Sequence, residues 1–587
     1  MRENDIIFFN LHRRYLDQAP KYGGFIGTYI LSAVMNANGF LAQGYAGTLQ
    51  RGLALIDEAC SQHKVRAIGL YCDYENVTEN IFLSQYIKKT YHIPVMVGGP
   101  QATALGEDFL DASGCDVISR YEGEITVLEL LNYYVDGVGD LSNIKGIMYK
   151  KDGQVILQPE QDLVENLDAL PFIDDDCYLE GHQPVHQLSI MTGRGCPFHC
   201  AFCHEGHHTK QVRFRSVENV LKEIEIFLEK ESDVDVPYIL FTDDTFTLIP
   251  ERVKSICDGL KILQKKRPFR WFCEGHVHML YMHPEMISYI AEAGAMRMQL
   301  GIEAGTQEVL DAYRKGSTLD EIRQVVNMCR DQGIEQIYSN IIVGGAFYTE
   351  EVYKKDLAFA KELISLGKGT VEIGTVCYWP LPETSVTNCP EKYGITILDD
   401  QFITSLGDFP QTRTENLGRW DILSMAQQMQ KDIEDHMMSM LQKGEVPRDR
   451  ILKWIQFIKK GELYGSWCQY LQRIPKLYTY YDMLFSKEAC SSDELKGDIW
   501  QSHPMRILSL IANIKCGDKG KFMYEDCSLD EIEMEALIFA TGKLSMEDIV
   551  LKVKKSFPQK ESAYIKKRVL EAMNKLERHH LIVYSRC

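Results

Sequence analysis

Two hydrophobic periods alternate along the first two-thirds of the chain. Continuous apolar runs at 6–9, 67–71, 94–97 and 117–118 end on polar or turn-forming residues: Asn10, Cys72-Asp73, Gly98-Gly99-Pro100 and Arg120 to Gly123. Stretches 28–36, 80–89 and 124–131 have the spacing of amphipathic helices. Alternating strand and helix predicts a doubly wound, Rossmann-like parallel sheet over 1–145, with ligands at the carboxyl ends of its strands.

Next, 146–149 and 155–157 flank Lys151-Asp152-Gly153, a β-hairpin signature. With the Pro- and acid-rich stretch after it, this predicts a hairpin and linker over 146–185. From 186 to 390 the alternation resumes. Strand-like runs at 188–191, 238–241, 270–273, 298–300, 336–343 and 371–378 are separated by helical patterns. Six such units predict a (βα)6 partial TIM barrel, with its chemistry at the carboxyl ends of the strands. Acidic clusters near 398–410 mark a boundary, followed by an α-helical extension over 391–510. The tail, 511–587, has helical patterns at 529–539, 546–556 and 562–579 and a final apolar run at 581–584, resembling a small winged-helix unit.

The chain has 587 residues, 45% hydrophobic and 25% charged, which fits an α/β protein of three to five globular domains. No apolar run reaches the ~18 residues of a membrane span, and the N-terminus lacks the regions of a secretory signal. A net charge of −19 argues against general nucleic-acid binding. The 17 cysteines are odd in number and scattered, which points to a reducing cytoplasm rather than a disulfide framework.

Three of those cysteines are not scattered. Gly193-Arg194-Gly195-Cys196-Pro197-Phe198-His199-Cys200-Ala201-Phe202-Cys203 follows the first barrel strand with the spacing CxxxCxxC. Gly and Pro keep the segment out of a helix, so a loop can bring three thiolates toward one point. Thiolates select zinc or iron–sulfur clusters. A structural zinc would want a fourth ligand, whereas three cysteines on a cluster leave one iron open.

CxxxCxxC with Phe202 before the third cysteine, followed in order by TDDTF, GIEAGTQEVLDAYRKG and SNIIVGG, resembles the radical SAM family. Upstream, VGGP and CDVISRYEGEITVLELL resemble the cobalamin-binding domain of its cobalamin-dependent members. The resemblance covers residues 1 to about 390. It implies that Cys196, Cys200 and Cys203 ligate a 4Fe–4S cluster whose open iron binds S-adenosyl-L-methionine. Phe202 would pack near the adenine, Asp243 and Asp244 near the methionine amino group, Gly301, Glu303 and Gly305 near the ribose, and Gly344 and Gly345 near the adenine. Cobalamin would lie at Tyr71, Cys72, Gly98, Gly99, Arg120, Glu122 and Gly123. His12 retains only the histidine of a cobalt-ligating DxHxxG pattern and reads as a solvated loop residue.

The implied activity is reductive cleavage of S-adenosylmethionine to a 5′-deoxyadenosyl radical and, through methylcobalamin, methylation of an unactivated carbon of a peptide or natural-product substrate. A reducing partner such as flavodoxin or ferredoxin would supply the electron. The alternatives are a cyclase or ring-rearrangement enzyme without methyl transfer and, in another class, a cobalamin- or redox-sensing regulator. The chain departs from the family in two places. His276 and His278 stand where many relatives have an arginine, and Ala346-Phe347-Tyr348-Thr349 replaces Pro-Gly-Glu-Thr. Two apart on an extended strand, the histidines would share a face and become candidates for acting on a substrate proton or binding a metal. The tail also resembles peptide-binding domains attached to peptide-modifying relatives.

Overall fold

The structure is a computed structural model that describes residues 3–12, 26–180, 187–205, 211–398, 409–460, 465–487, 489–495, 497–517 and 521–585. It divides into two compact units, Met1–Ile433 and Glu434–Cys587.

The first unit contains two large sheets. In one, β1 (Asn4–His12), β2 (Ala42–Thr48), β3 (Val65–Tyr71), β4 (Val95–Gly98), β5 (Val117–Ser119), β6 (Ile147–Lys151) and β7 (Gln154–Leu157) lie in the order β2-β1-β3-β4-β5-β6-β7. The first five are parallel. The predicted hairpin is present as β6–β7, and β6 pairs antiparallel with β5, so it extends this sheet. Both faces are covered, as the unbroken apolar runs require. Ile7, Phe9 and Leu11 pack in one core with Ile68, Leu70, Val95 and Val97. Ile6 and Phe8 face the other way, into a core with Ala67, Met96, Val127 and Leu130. Strand order reverses about β1, with β2 on one side and β3 on the other, which opens a crevice at the carboxyl ends.

The second sheet is the barrel. β8 (Gln187–Ile190) leads to a two-residue ladder of β9 (Gly193–Arg194) with β10 (Arg213–Phe214). Then come β11 (Tyr238–Phe241), β12 (Arg270–Gly275), β13 (Ala295–Leu300), β14 (Gln336–Val343) and β15 (Val371–Cys377). The six long strands are all parallel, in the order β15-β14-β13-β12-β11-β8. Six strands in chain order with helices between them make the partial barrel that the sequence predicts. A short hairpin, β16 (Ile395–Ile397) with β17 (Thr412–Thr414), follows. Most of the acidic boundary stretch, 399–408, lies outside the described residues.

The division between units falls inside the long helix Arg419–Gln442. In the second unit β18 (Ala489–Cys490) and β19 (His503–Arg506) flank the last strand, β23 (Ile582–Ser585). The tail therefore shares a sheet with residues before 511, which the expected boundary had separated. A second sheet, β20 (Ile514–Cys516), β21 (Phe522–Tyr524) and β22 (Cys527–Leu529), precedes the helices Glu531–Phe539, Met546–Ser556 and Ser562–Arg578. Leu537, Ile549, Val569, Leu576 and Tyr584 form its core. Two of these helices begin with capping boxes, Asp530 with Glu533 and Ser545 with Asp548.

Candidate functional site: the cysteine loop and the cavity beside it

The cysteine loop leaves β8 on a stem built by carboxylates from β11. Asp243 is buried, and its Oδ1 accepts the Thr192 N–H at 2.5 Å and the Gly193 N–H at 3.2 Å. The Thr192 hydroxyl donates to its other oxygen. Burial raises the Asp243 pKa to about 6, against the pull of these donors. Asp244 Oδ2 accepts the Gly195 N–H at 3.0 Å, and Cys196 Sγ lies 3.5 Å from Thr245 Oγ1. The ladder β9–β10 then closes the base, and a Cβ on Gly193 would meet the Phe214 ring at 2.6 Å. Asp243 is thus occupied in the stem, while Asp244 also lines the neighbouring cavity.

The far side of the loop is tied to the barrel. The Ala201 N–H donates to the Tyr313 carbonyl at 2.8 Å, and its carbonyl accepts from Val386 N at 3.0 Å. Phe202 meets the Tyr313 ring edge-on, with centroids 4.9 Å apart. Cys200 is buried, Cys196 and Cys203 are partly accessible, and all three are unbridged. No group of three or more His, Cys, Asp or Glu among the described residues is arranged around a single metal ion. Burial raises the Cys200 pKa, and the Lys315 ammonium opposes that shift.

Lys315 is a site residue that the sequence reading passed over. Its Nζ lies 3.0 Å from Glu303 Oε1 and 5.8 Å from the Phe202 ring centroid. Burial works against its charge, but Glu303 and the Cys200 and Cys203 sulfurs outweigh it and raise the pKa. The pair lies over Gly301, where a Cβ would sit 2.2 Å from Nζ. Glu303 has φ +65°, in the left-handed region, yet it continues the sheet. Its N–H donates to the Asn340 carbonyl at 3.1 Å, and its carbonyl accepts from Ile342 N at 2.8 Å. Gly305 N donates to Asp356 Oδ1 at 2.6 Å, and a Cβ on Gly345 would fall 1.8 Å from the Tyr313 hydroxyl. A Cβ on Gly344 would strike Ile422. Close packing within the protein already accounts for these glycines.

The two histidines do not share a strand face. β12 ends at Gly275, and His276 caps the helix Val277–Met282, which contains His278. His276 is buried, with its ring stacked on Phe198 at 3.8 Å and 11°. Burial drives its pKa down to about 3, so the imidazole is neutral. His278 is 40% exposed and pairs with Glu321 at 3.1 Å.

Beside the loop is a cavity of about 430 Å³ lined by both sheets of the first unit. Tyr71, Gly98, Gly99, Ser119, Glu122 and Gly123 come from the first sheet's carboxyl ends, and Met191, Gly193, Arg194, Thr242 and Asp244 from the barrel. Of the expected first-sheet residues, Cys72 and Arg120 are not in the lining. Cys72 is fully buried, with its N–H on the Gly98 carbonyl at 2.8 Å, and Arg120 folds over the Tyr121 ring. Glu122 pairs with Arg213 and with Arg194 at 3.3 Å, and Arg194 also pairs with Glu124. Burial would raise the Glu122 pKa, but the two guanidiniums outweigh it and lower it. His12 is buried rather than solvated, 3.6 Å from Asp73, and is not in the lining.

Residues 190–360 match the radical SAM superfamily. That segment is a radical SAM domain. An uncharacterized methyltransferase, PH0819 of Pyrococcus horikoshii, is 30% identical over 296 residues, 49% of this chain and 60% of that protein. The anaerobic magnesium-protoporphyrin IX monomethyl ester cyclase of Rubrivivax gelatinosus is 25% identical over 280 residues, 46% of this chain and 49% of its own length. The chain thus spans roughly half of each relative. The solved structure of the cobalamin-dependent S-adenosylmethionine radical enzyme OxsB with aqua-cobalamin bound has a similar fold. Its TM-score is 0.59 at 16% identity, over 97% of this chain and 84% of that one. The radical SAM domain therefore includes the cysteine loop, Asp243, Asp244, Glu303 and Lys315.

Two predictions follow from this geometry. Lys315→Met leaves the Glu303 carboxylate part-buried and unpaired, which should cost about 3–5 kcal/mol. The double variant Lys315→Met/Glu303→Gln should recover much of that, as read from denaturant unfolding of single and double variants. Gly99 has φ +106°, and a Cβ there would lie 2.4 Å from the Cys72 carbonyl. Gly99→Ala should therefore lower stability by about 1–3 kcal/mol; an unchanged melting midpoint would contradict this placement.

Proposed function

We propose that the chain is a cobalamin-dependent radical SAM enzyme, a methyltransferase acting on an unactivated carbon of a small-molecule or peptide substrate. The observation that carries this reading is the shared cavity. The carboxyl ends of the first sheet and of the barrel line one space, with the stem of the cysteine loop in its wall. The donor set fits a cluster, since it offers three unbridged thiols at the CxxxCxxC spacing on one loop. The lining fits a large flat ligand on its first-sheet side, where the Gly98-Gly99 turn presents backbone without side chains.

When bound, the cluster supplies the electron that cleaves S-adenosylmethionine, and cobalamin supplies the transferable methyl group. The chain's own residues do the remaining work. Cys196, Cys200 and Cys203 would hold the cluster, and the Lys315 ammonium opposes the burial that raises the Cys200 pKa. Phe202 and Tyr313 wall off the side toward β14. Glu303, fixed by its two backbone bonds, presents a carboxylate for ribose hydroxyls. Asp244 presents one toward the cavity. Tyr71 and the Gly98-Gly99 turn line the side of the cavity that would hold cobalamin, and the buried walls would exclude water from a radical.

No helix among the described residues is long and apolar enough to cross a membrane. The unbridged cysteines suit a reducing cytoplasm, and a flavodoxin or ferredoxin would be the electron donor. The likeness to the cyclase favours a second reading, ring formation without methyl transfer. Anaerobic reconstitution followed by iron, sulfide and cobalamin assay separates the outcomes. Methylated product with S-adenosylhomocysteine supports the first reading, and deoxyadenosine without methyl transfer the second. Changing Cys196, Cys200 and Cys203 together to Ala should abolish iron uptake and deoxyadenosine formation; a variant that keeps both sinks the proposal.

A further inference from the structure

The inner face of the barrel sheet carries a row of polar side chains that the proposed function leaves without a role. Glu274 on β12 lies in register with Gln299 on β13, which is in register with Tyr338 on β14. Gln299 Nε2 donates to Glu274 Oε1 at 3.2 Å, and the Tyr338 hydroxyl to Asn340 Oδ1 at 3.0 Å. Arg297 lies on the same face, its guanidinium 5.6 Å from the Phe272 ring and 4.3 Å from the Tyr338 ring. The alternate residues Trp271, Cys273 and Met298 are fully buried on the opposite, apolar side. Glu274, Arg297, Gln299, Tyr338 and Asn340 all keep partial access to solvent.

Charge in this row does not balance around Glu274. Its charged neighbours are Asp244 from the end of β11, Glu303 beyond β13, Lys315, and Arg297. Lys315 is already paired with Glu303, and Arg297 is stacked between two rings. Among the described residues Glu274 has Gln299 as its only hydrogen-bond partner, a neutral amide. Burial first, then Asp244, push its pKa up to about 7. A carboxylate left short of positive charge beside a cofactor site is arranged for a cation.

Resting on the radical SAM reading, we propose that Glu274 is a further S-adenosylmethionine-recognition residue that supplies negative charge to the sulfonium cation. The same chemistry could serve an amine-bearing substrate, so the test separates the two. S-adenosylhomocysteine differs from S-adenosylmethionine in lacking the methyl group and the positive charge on sulfur. With reconstituted full-length protein and no substrate, Glu274→Gln should weaken S-adenosylmethionine binding by roughly tenfold or more and leave S-adenosylhomocysteine within about twofold. Gln299→Met, which removes the amide holding the carboxylate, should shift the affinity ratio the same way by less. In the wild type the preference for the sulfonium should grow as pH rises through about 7, where Glu274 ionises. In Glu274→Gln that dependence should flatten. Equal losses for both ligands, or no loss for either, would overturn the proposal and assign the carboxylate to a substrate amine or to packing. A wild type that binds neither ligand sinks the radical SAM reading itself, and this inference with it.

Discussion

Everything at this site depends on two adjacent carboxylates at the end of one barrel strand. Asp243 takes up both the amide and the hydroxyl of Thr192 and the amide of Gly193, and Asp244 takes the amide of Gly195. Apart from the two-residue β9–β10 ladder, the loop through Gly195 and Pro197 has no helix or sheet to fix it, so amides along it need outside acceptors. Those of Thr192, Gly193 and Gly195 find one just past the end of β11. The cost is a carboxylate buried at the base of the barrel mouth, with its pKa raised to about 6. That cost is tolerable because the donors converge on it, and because Arg252, which donates to the Thr192 carbonyl at 3.0 Å, adds positive charge nearby.

The same stem couples the barrel to the first sheet. Arg194 follows Gly193 directly, and it pairs with Glu122 and Glu124 at the carboxyl end of β5. Arg213, opposite it on the β9–β10 ladder, also pairs with Glu122. Buried pairs of this kind add little net stability, since desolvation cancels most of their attraction, but breaking one is costly. Their effect is on register. A cavity lined by two sheets keeps its shape only if the sheets cannot slide, and a chain of three ion pairs, Glu124–Arg194–Glu122–Arg213, fixes that relation.

How much of this the chain announces follows from the range of each interaction. Strands covered on both faces show themselves as apolar runs, so the five long barrel runs after the loop and β1, β3 and β4 were legible. β2 was not, because AQGYAGT at the sheet edge has no apolar run to see. The cysteine spacing is local and survives as a motif. The roles of Asp243, Arg194 and Lys315 are not local. Lys315 is twelve residues from Glu303, and Arg194 is seventy from Glu124, distances at which charge pattern carries no signal. The histidines misled for a related reason. The end of β12 at Gly275 turns His276 from a strand position into a helix cap, which separates it from His278.

Glu303 shows what the fold accepts to keep the site in place. A non-glycine residue in the left-handed region costs about 1–3 kcal/mol and persists only where its surroundings over-determine it. Here a backbone bond on each side pins it to β14, and the ammonium of Lys315 holds the carboxylate. Glycine at 303 would relieve the strain but would leave Lys315 buried beside the thiols without a counter-charge. The carboxylate balances Lys315, and Lys315 in turn opposes the burial that raises the Cys200 pKa. Strain, ion pair and cysteine loop are thus one linked arrangement, anchored at Gly301, where only a missing Cβ leaves room for the pair.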